Sequence, residues 1–487
     1  MKSRLALIVF GTVLTLFCSN LVFGQLDERY ELTNNQQYDS GQDILIIEDT
    51  IYTLSGGIIP QNDSTSFILF KSTLNGIPID TMHYHIPGAQ FVCSKLLNSG
   101  DSLFVLGSVI QDQQGWDPCL AIFDLQFNNL FYQKYDTTQH IIISDGLFTP
   151  NNGILMYGST ADTSDGSDWE DIYLLNLDTN MNKTWDKRIP QTLYVYSGSI
   201  NNLNGQYLLS GYRSDPNIWE DNGEAYLHKI DSAGNILQTK LFTSQHGTLI
   251  SHSMVKDDRI YVSAVRSDST NLTHNTHFRK PILITLDTMF NVLNEAEFGD
   301  YGQVFYSWLP SGLVHSSERI YIFGHEHPHG FVACFDFTGN YLWGQSYFDT
   351  TYISDESISE MLIVNTNQII GIGYRGEYSL GPSDRDTWIF KIDSLGCISP
   401  NCNNYISFTQ NNFFALSIYP NPTEDILNLS IPLEKPGLIE IYDLLGKRVV
   451  YQKLTSPEIN VQRLERGFYL LKVQIGSSIY IGKFRKS

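Results

Sequence analysis

Basic residues are scarce in this chain of 487 residues: 31 Lys and Arg stand against 52 Asp and Glu, a formal charge of −21. A phosphate-rich partner needs clustered cations, so this balance argues against nucleic acid or an anionic membrane as the partner. Cysteine is scarce too, six in all, and none stands in paired C-x-x-C spacing, which leaves no structural zinc site to expect. After the first 24 residues no apolar run is long enough to cross a membrane as a helix, so no integral membrane segment is expected. Local catalytic signatures are also missing: there is no G-x-S-x-G elbow, no helical H-E-x-x-H and no P-loop.

What the chain does have is material for strands and turns. Aromatics reach 13% and there are 37 glycines, a composition that suits short strands joined by tight turns. The stretch from Gly205 to Asn235 shows the unit. Gln206–Gly211 is apolar and aromatic, Glu224–Ile230 alternates, and Asp231-Ser-Ala-Gly-Asn235 is a turn in which Asp bonds its own backbone and Gly accepts positive φ. A small residue ends the second-strand signal at Gly56, Gly107, Gly158, Gly211, Ala264, Gly324 and Gly373, at spacings of 49 to 60 residues. The third strand is expected to end at Ser72, Asp124, Asp178, Asp231, Asp287, Asp336 and Asp393, with Asn four residues later in five copies. Seven copies with a period near 50 predict an all-β fold, a seven-bladed β-propeller that resembles kelch-like propellers in period. The seventh copy lacks a fourth strand, so Leu26–Asn35 is expected to complete it and leave no open sheet edge.

Lys2 and Arg4 precede the apolar run Leu5–Phe17, and the small residue Gly24 precedes Gln25. This predicts a secretory signal peptide over 1–24. The propeller is then expected over 25–403, a linker over 404–414, and a small Ig-like β-sandwich of about seven short strands over 415–487. In an oxidising compartment Cys397 and Cys402 would close a disulfide worth about 2 kcal/mol. Cys93, Cys119 and Cys334 lie in apolar strand patterns and are expected to be free and buried.

Four stretches near the C-terminus carry a family resemblance: Tyr419-Pro-Asn-Pro-Thr423, Ile441-Tyr-Asp-Leu-Leu-Gly-Lys-Arg-Val449, Gly467-Phe-Tyr-Leu-Leu-Lys-Val473 and Lys483-Phe-Arg-Lys-Ser487. In that order they resemble the type A C-terminal sorting domain of the type IX secretion system. On that resemblance the sorting residues are Tyr419, Pro420, Asn421, Pro422, Gly446, Lys447, Gly467, Tyr469 and Lys483. The resemblance implies the secretion machinery as a partner, export through the outer membrane, and release from or attachment to the cell surface.

For the propeller itself the sequence predicts a place rather than a ligand. The second-to-third-strand loops look long: Ser159–Glu170, Tyr212–Gly223, Val265–Arg279 and Tyr374–Arg385. Long loops on a rigid scaffold are where binding residues tend to lie. On or beside these second-to-third-strand connections stand Trp116, Trp169 and Trp219 with Asp117, Asp168, Asp171 and Glu220, aromatic faces beside acids that suit sugar rings or a protein anchor. Seven residues before each third-strand end come Thr65, Asp117, Asp171, Glu224, Lys280, His329 and Asp386. Four of these are carboxylates, which either cap strand turns or cluster on one face and support glycoside chemistry. Two reading frames follow: a non-catalytic binder of glycan or protein, or a secreted carbohydrate-active hydrolase or lyase. No cofactor is expected. The acidic run Asp162–Asp171 suits calcium in composition but not in EF-hand spacing, and His325-Glu-His-Pro-His329 gathers imidazoles around a proline that disturbs a metal geometry.

Overall fold

A computed structural model describes residues 26–30, 32, 39–59, 64–111, 115–137, 140–161, 169–191, 193–214, 223–243, 247–271, 276–299, 308–326, 329–347, 354–365, 367–377, 385–398, 413–430, 437–442, 448–454, 456–475 and 478–487. Among these the regular structure is β throughout, and seven antiparallel sheets have four strands each. Sheet one runs in chain order through Asp39–Ile47, Thr50–Ile59, Ser64–Thr73 and Pro78–Tyr84. The first strands of sheets two to seven are Ala89–Ser99, His140–Phe148, Tyr194–Leu203, Thr248–Lys256, Trp308–His315 and Ser354–Asn365. Each touches the first strand of the next sheet, and that of sheet seven touches that of sheet one. First strands therefore line the middle of a closed ring, an arrangement consistent with a β-propeller.

Sheet seven is completed from the other end of the chain. Its own strands are Ser354–Asn365, Gln368–Glu377 and Arg385–Asp393, and Asp27–Tyr30 pairs antiparallel with the last of them. Leu26 is fully buried among Ile44, Phe70, Ile370 and Ile389, and its carbonyl accepts the Lys391 N–H at 2.8 Å. The Trp388 indole N–H donates to Asp27 at 2.8 Å, and Arg29 pairs with Asp386. The expected closure is present over residues 26–30; of the remainder, only residue 32 lies among the described residues.

The recurrent Asp and Asn have a direct physical cause. In the turn after the third strand of sheet four, Asp231 Oδ1 accepts the N–H groups of Ala233 at 2.9 Å and Asn235 at 2.8 Å, and the Asn235 amide donates to Asp231 Oδ2 at 2.9 Å. The same closed turn recurs at Asp124–Asn128, Asp178–Asn182, Asp287–Asn291 and Asp336–Asn340. These bonds stabilise the ionised carboxylate and hold Asp124, Asp231 and Asp287 below the usual Asp range, the Asn side chain contributing most. At Asp393 the backbone of Cys397 takes the place of Asn at 2.9 Å.

The recurrent small residue has a different role from the one expected. It does not end the second strand, which runs on past it: Gly107 lies inside Ser102–Gln111 and Gly211 inside Gln206–Ser214. Each first strand instead carries a β-bulge, and in six sheets the small residue pairs with the last residue before it: Cys93, Ile143, Ser197, Ile250, Pro310 and Ile358. A Cβ on Gly158 would lie 2.1 Å from the Ile142 carbonyl oxygen, and one on Gly373 1.8 Å from that of Ser357. At these glycines the bulged strand folds its backbone over the position, so an added methyl collides, whereas sheet five holds Ala264 there. In sheet one the register is offset, Gly56 pairing with Ser40, and a Cβ on Gly56 would meet nothing within 4 Å.

Neighbouring sheets are stapled at the turn end. Lys71 donates to the Leu125 carbonyl, Tyr135 to Met181, Lys229 to Thr288, Arg259 to Phe337 and Arg319 to Ser394, each reaching the turn after the third strand of the next sheet. Lys187 reaches Asn235 in the same way, and Tyr30 donates to Gly76 across the seam at 2.5 Å. Trp185 and Trp343 pack against Gly234 and Gly396 of the following turns, so the tryptophans that follow two of the Asn residues are packing groups. Cys93, Cys119 and Cys334 are free and buried as expected. Cys397 is disulfide-bonded, while Cys402 lies outside the described residues.

The C-terminal region has a five-stranded sheet, in spatial order Phe413–Ala415, Ser478–Lys486, Gly467–Ile475, Gly437–Tyr442 and Arg448–Leu454. A three-stranded sheet holds Ser417–Tyr419, Ile426–Ser430 and Glu458–Asn460. Both contribute to one core, with Leu427, Leu429 and Ile459 packed with Ile439, Leu471 and Phe484. The first of these strands starts at Phe413, inside the stretch expected to be a linker.

Candidate functional site

The bulges of the first strands gather charge at the centre of the ring. The first paired residue after each bulge is Asp43, Lys95, Asp145, His252, Gly312 and Glu360 in sheets one, two, three, five, six and seven. Lys95 Nζ lies 3.3 Å from Asp43 Oδ2 and 3.5 Å from Glu360 Oε2. Burial works against the Lys95 charge, but the fields of Asp43, Glu360 and Asp145 outweigh it and raise its pKa.

Two of the three carboxylates serve the fold. Asp43 accepts the N–H of Ile44 at 2.9 Å and, across the sheet boundary, that of Leu96 at 2.7 Å. Asp145 does the same with Gly146 at 2.8 Å and Ile200 at 2.9 Å. Each ties its own first strand to that of the next sheet. Glu360 accepts the N–H of Met361 at 2.9 Å and reaches Lys95 only at 3.5 Å. Burial raises the pKa of Glu360; Lys95 opposes the rise, and Asp43 and Asp145 add to it. His252 is pushed down to about 4 by burial and by the Lys95 charge, so it is neutral at pH 7, and its Nδ1 is buried without a hydrogen-bond partner. On the far side of the channel the lining turns to hydroxyls: Ser199 Oγ lies 2.9 Å from Ser210 Oγ and 3.2 Å from Ser253 Oγ.

A cavity of about 340 Å³ opens beside this cluster. Asp43, Lys95, Glu360 and Asn98 are its polar lining, and Leu45, Leu97, Phe148, Val314 and Leu362 belong to its apolar wall. These apolar residues follow the bulge along each first strand, so the cavity lies toward the first-to-second turns. Because strands alternate in direction, that is the end opposite the second-to-third loops.

The acids singled out from the sequence have another environment. Asp117 is buried, 3.3 Å from Lys134 Nζ, and its Oδ1 accepts the Thr137 N–H at 2.7 Å and hydroxyl at 2.8 Å. Asp171 is held likewise by Arg188 and by the Gln191 N–H at 2.7 Å. Asp386 pairs with Arg29, and in sheet five the polarity is reversed, Lys280 meeting Glu297 at 3.0 Å. In all four sheets the fourth-strand partner stands opposite the residue two positions further along the third strand: Cys119, Tyr173, Trp388 and Ile282. This diagonal is within reach of long side chains. The position is thus a latch between the third and fourth strands, while Glu224 pairs with Arg213 of the second strand at 2.7 Å.

Trp116 and Trp169 begin the third strands of sheets two and three, at the second-to-third end. Asp168, Trp219 and Glu220 lie outside the described residues, as does most of the acidic run Asp162–Asp171. The second-to-third connections are shorter than expected, because the strands extend into them. In sheet five, pairing continues from Val265↔Pro281 to Asn271↔Thr276. His325-Glu-His-Pro-His329 has the order H-E-x-x-H but forms a hairpin end in which Glu326 pairs with His329, so it does not offer the single helical face of that zinc motif. Among the described residues no group of three or more His, Cys, Asp or Glu could hold a metal ion, and no helix is long and apolar enough to cross a membrane.

Of the residues expected to act in sorting, Asn421 and Lys483 meet in a clasp. Asn421 donates to the Lys483 carbonyl and accepts the Arg485 N–H, both at 2.9 Å, and the Thr423 N–H donates to the Arg485 carbonyl at 2.9 Å. Two stretches more than 60 residues apart, one with two prolines and one basic, are therefore a single feature. Tyr469 is buried, stacks on Phe484 with ring centres 5.4 Å apart and donates to the Glu465 carbonyl at 2.9 Å. Tyr419 and Lys483 are exposed, while Gly446 and Lys447 lie outside the described residues.

Residues 417–486 match the family of secretion system C-terminal sorting domains. This domain marks the chain as a protein secreted or attached to the outer cell surface, and implies recognition by the type IX secretion machinery. No curated protein matches the chain. Among solved structures it is similar to PorZ, an essential bacterial surface component of the type IX secretion system of Porphyromonas gingivalis, at 10% identity and a TM-score of 0.41. That match covers 91% of this chain, which spans 59% of the other. The β-propeller domain of the Trilobed protease of Pyrococcus furiosus is similar at 9% identity and a TM-score of 0.42, covering 73% of this chain and 94% of that one. The polysaccharide lyase Uly1 is similar at 8% identity and a TM-score of 0.43, covering 72% and 90%.

Proposed function

We propose that the protein is a seven-bladed β-propeller, kelch-like in period, that leaves the cell after loss of a leader ending near Gly24 and acts outside as a non-catalytic binder of a glycan or a protein. An Ig-like sorting sandwich over 415–487 carries it through the outer membrane. The observation that supports binding over catalysis is the fate of the repeat carboxylates. Asp117, Asp171, Glu224 and Asp386 each face a cation. Acids spent in strand latches are not poised for proton transfer. The ligand face is then the second-to-third end, where Trp116 and Trp169 start their strands and where Trp219, Asp168 and Glu220 belong by sequence. The second reading, a carbohydrate-active hydrolase or lyase, draws support from Glu360, whose raised pKa suits a general acid beside Asp43. Lys95 between the two weighs against it.

A glycan array run beside a polysaccharide-degradation screen tests the proposal. Retention without turnover, weakened by the double change Trp169→Ala and Trp219→Ala, is the expected result. Turnover that disappears in Glu360→Gln would replace the binder with the enzyme.

A further inference from the structure

We propose that the central cavity on the opposite end of the ring is a second binding site, for a small organic amine with an apolar body. The cavity carries the argument first. At about 340 Å³ it falls at the lower end of the range of small-ligand pockets, and its walls are aliphatic and aromatic, from Leu45, Leu97, Phe148, Val314 and Leu362. Neither a sugar nor an extended peptide backbone finds enough polar partners on such walls. A short alkyl or aryl-alkyl chain does.

The polar side of the cavity specifies the head group. Three carboxylates, Asp43, Asp145 and Glu360, share one ammonium, that of Lys95, and His252 is neutral. With all three ionised the cluster is short of positive charge, and burial raises the pKa of Glu360 and Asp145, so a proton offsets part of that shortfall in the free protein. Asp43 and Asp145 each accept two backbone N–H groups, one of them from the first strand of the next sheet, whereas Glu360 accepts one, from its chain neighbour Met361, and has a distant Lys95. Glu360 also lines the cavity. A ligand ammonium placed against Glu360 Oε2 supplies the missing charge, while its apolar body covers the leucine and valine wall. A carboxylate ligand would add a further anion beside Asp43 and Glu360 and is disfavoured. No bond is made or broken.

The test uses the full-length chain with hexylamine, hexanol and hexanoate, read by calorimetry. Hexylamine is expected to bind at least about tenfold tighter than hexanol, the worth of one charge-assisted hydrogen bond, and hexanoate not at all. Glu360→Gln, which keeps the shape of the side chain, should bring hexylamine to the level of hexanol. Leu97→Trp, which fills the cavity and leaves Glu360 in place, should abolish both. Equal binding of amine and alcohol, preference for hexanoate, or full hexylamine binding in folded Leu97→Trp would overturn the assignment. These outcomes are independent of the glycan array, because that ligand face is at the other end of the ring.

Discussion

Replacing Leu26 by Ala tests how the ring is closed. Leu26 is fully buried in a cluster that joins sheets one and seven, with Tyr30 and Leu32 packed against its edge. Truncating a buried Leu to Ala costs about 2–5 kcal/mol, the upper part applying where the site cannot collapse. Here Ile44, Ile370 and Ile389 come from rigid strands, and the Gly76 turn sits directly over Leu26, so little collapse is available. A value near 3–4 kcal/mol is expected. In a ring of this size each kcal/mol moves the melting temperature by about 1–2 °C, which predicts a fall of roughly 3–8 °C. Calorimetry and urea unfolding of the purified chain read this, with Leu237→Ala as control. Leu237 is 50% exposed on the outer strand of sheet four, and its truncation should cost under about 0.5 kcal/mol. If Leu26→Ala and Leu237→Ala unfold alike, the N-terminal strand does not hold sheet seven and the closure argument fails.

Three further outcomes follow from the same geometry. Gly373→Ala should destabilise by about 1–3 kcal/mol because the new methyl meets the Ser357 carbonyl, whereas Gly56→Ala, in open space, should be neutral; matching urea midpoints would refute the bulge explanation. His252 and His228 are both pushed down to about 4 by burial, against about 6.5 in the unfolded chain. Their contribution is therefore fully present above pH 6.5 and is lost as pH falls toward 4, up to about 3 kcal/mol each, since the unfolded state binds the extra protons. His252→Asn should flatten the loss between pH 7 and pH 5 measured by urea unfolding; an unchanged slope would count against a buried neutral imidazole. Asn421→Ala removes two of the three hydrogen bonds of the C-terminal clasp and should leave the chain in the periplasm with the propeller's melting temperature unchanged, read by fractionation and immunoblot.

The parts of this fold that sequence reasoning reached are those encoded within a few residues. The Asp and Asn four apart are legible because one local turn needs both, and the tail motifs because each is a short contiguous stretch. The small residue was visible as a period but not in its meaning, since the bulge that demands it lies on the preceding strand. The channel cluster escaped entirely. Its positions follow a small or polar residue in the first strand, as in Ser94-Lys95, Ser144-Asp145, Ser251-His252 and Ser359-Glu360, but the second member changes from base to acid to imidazole. A signal that keeps position and varies chemistry leaves no motif. The third-strand acids show the converse: a clear pattern whose partners, Lys134, Arg188 and Arg29, are fixed only once the strands are paired.

The seam in sheet seven also sets the order in which the molecule can be made. Six sheets are each complete within one repeat of chain, but the Trp388–Asp27 contact joins residues 361 positions apart. Bringing such distant ends together costs about 2 kcal/mol more than closing a loop of some 50 residues, and it is repaid only when the last third strand is in place. The N-terminal strand thus works as a length check on the array. A chain that stops short of Thr387 has nothing for Asp27–Tyr30 to pair with, and its final sheet presents a bare edge for other chains to join. For a protein destined to leave the cell, the array is finished only when its two ends meet.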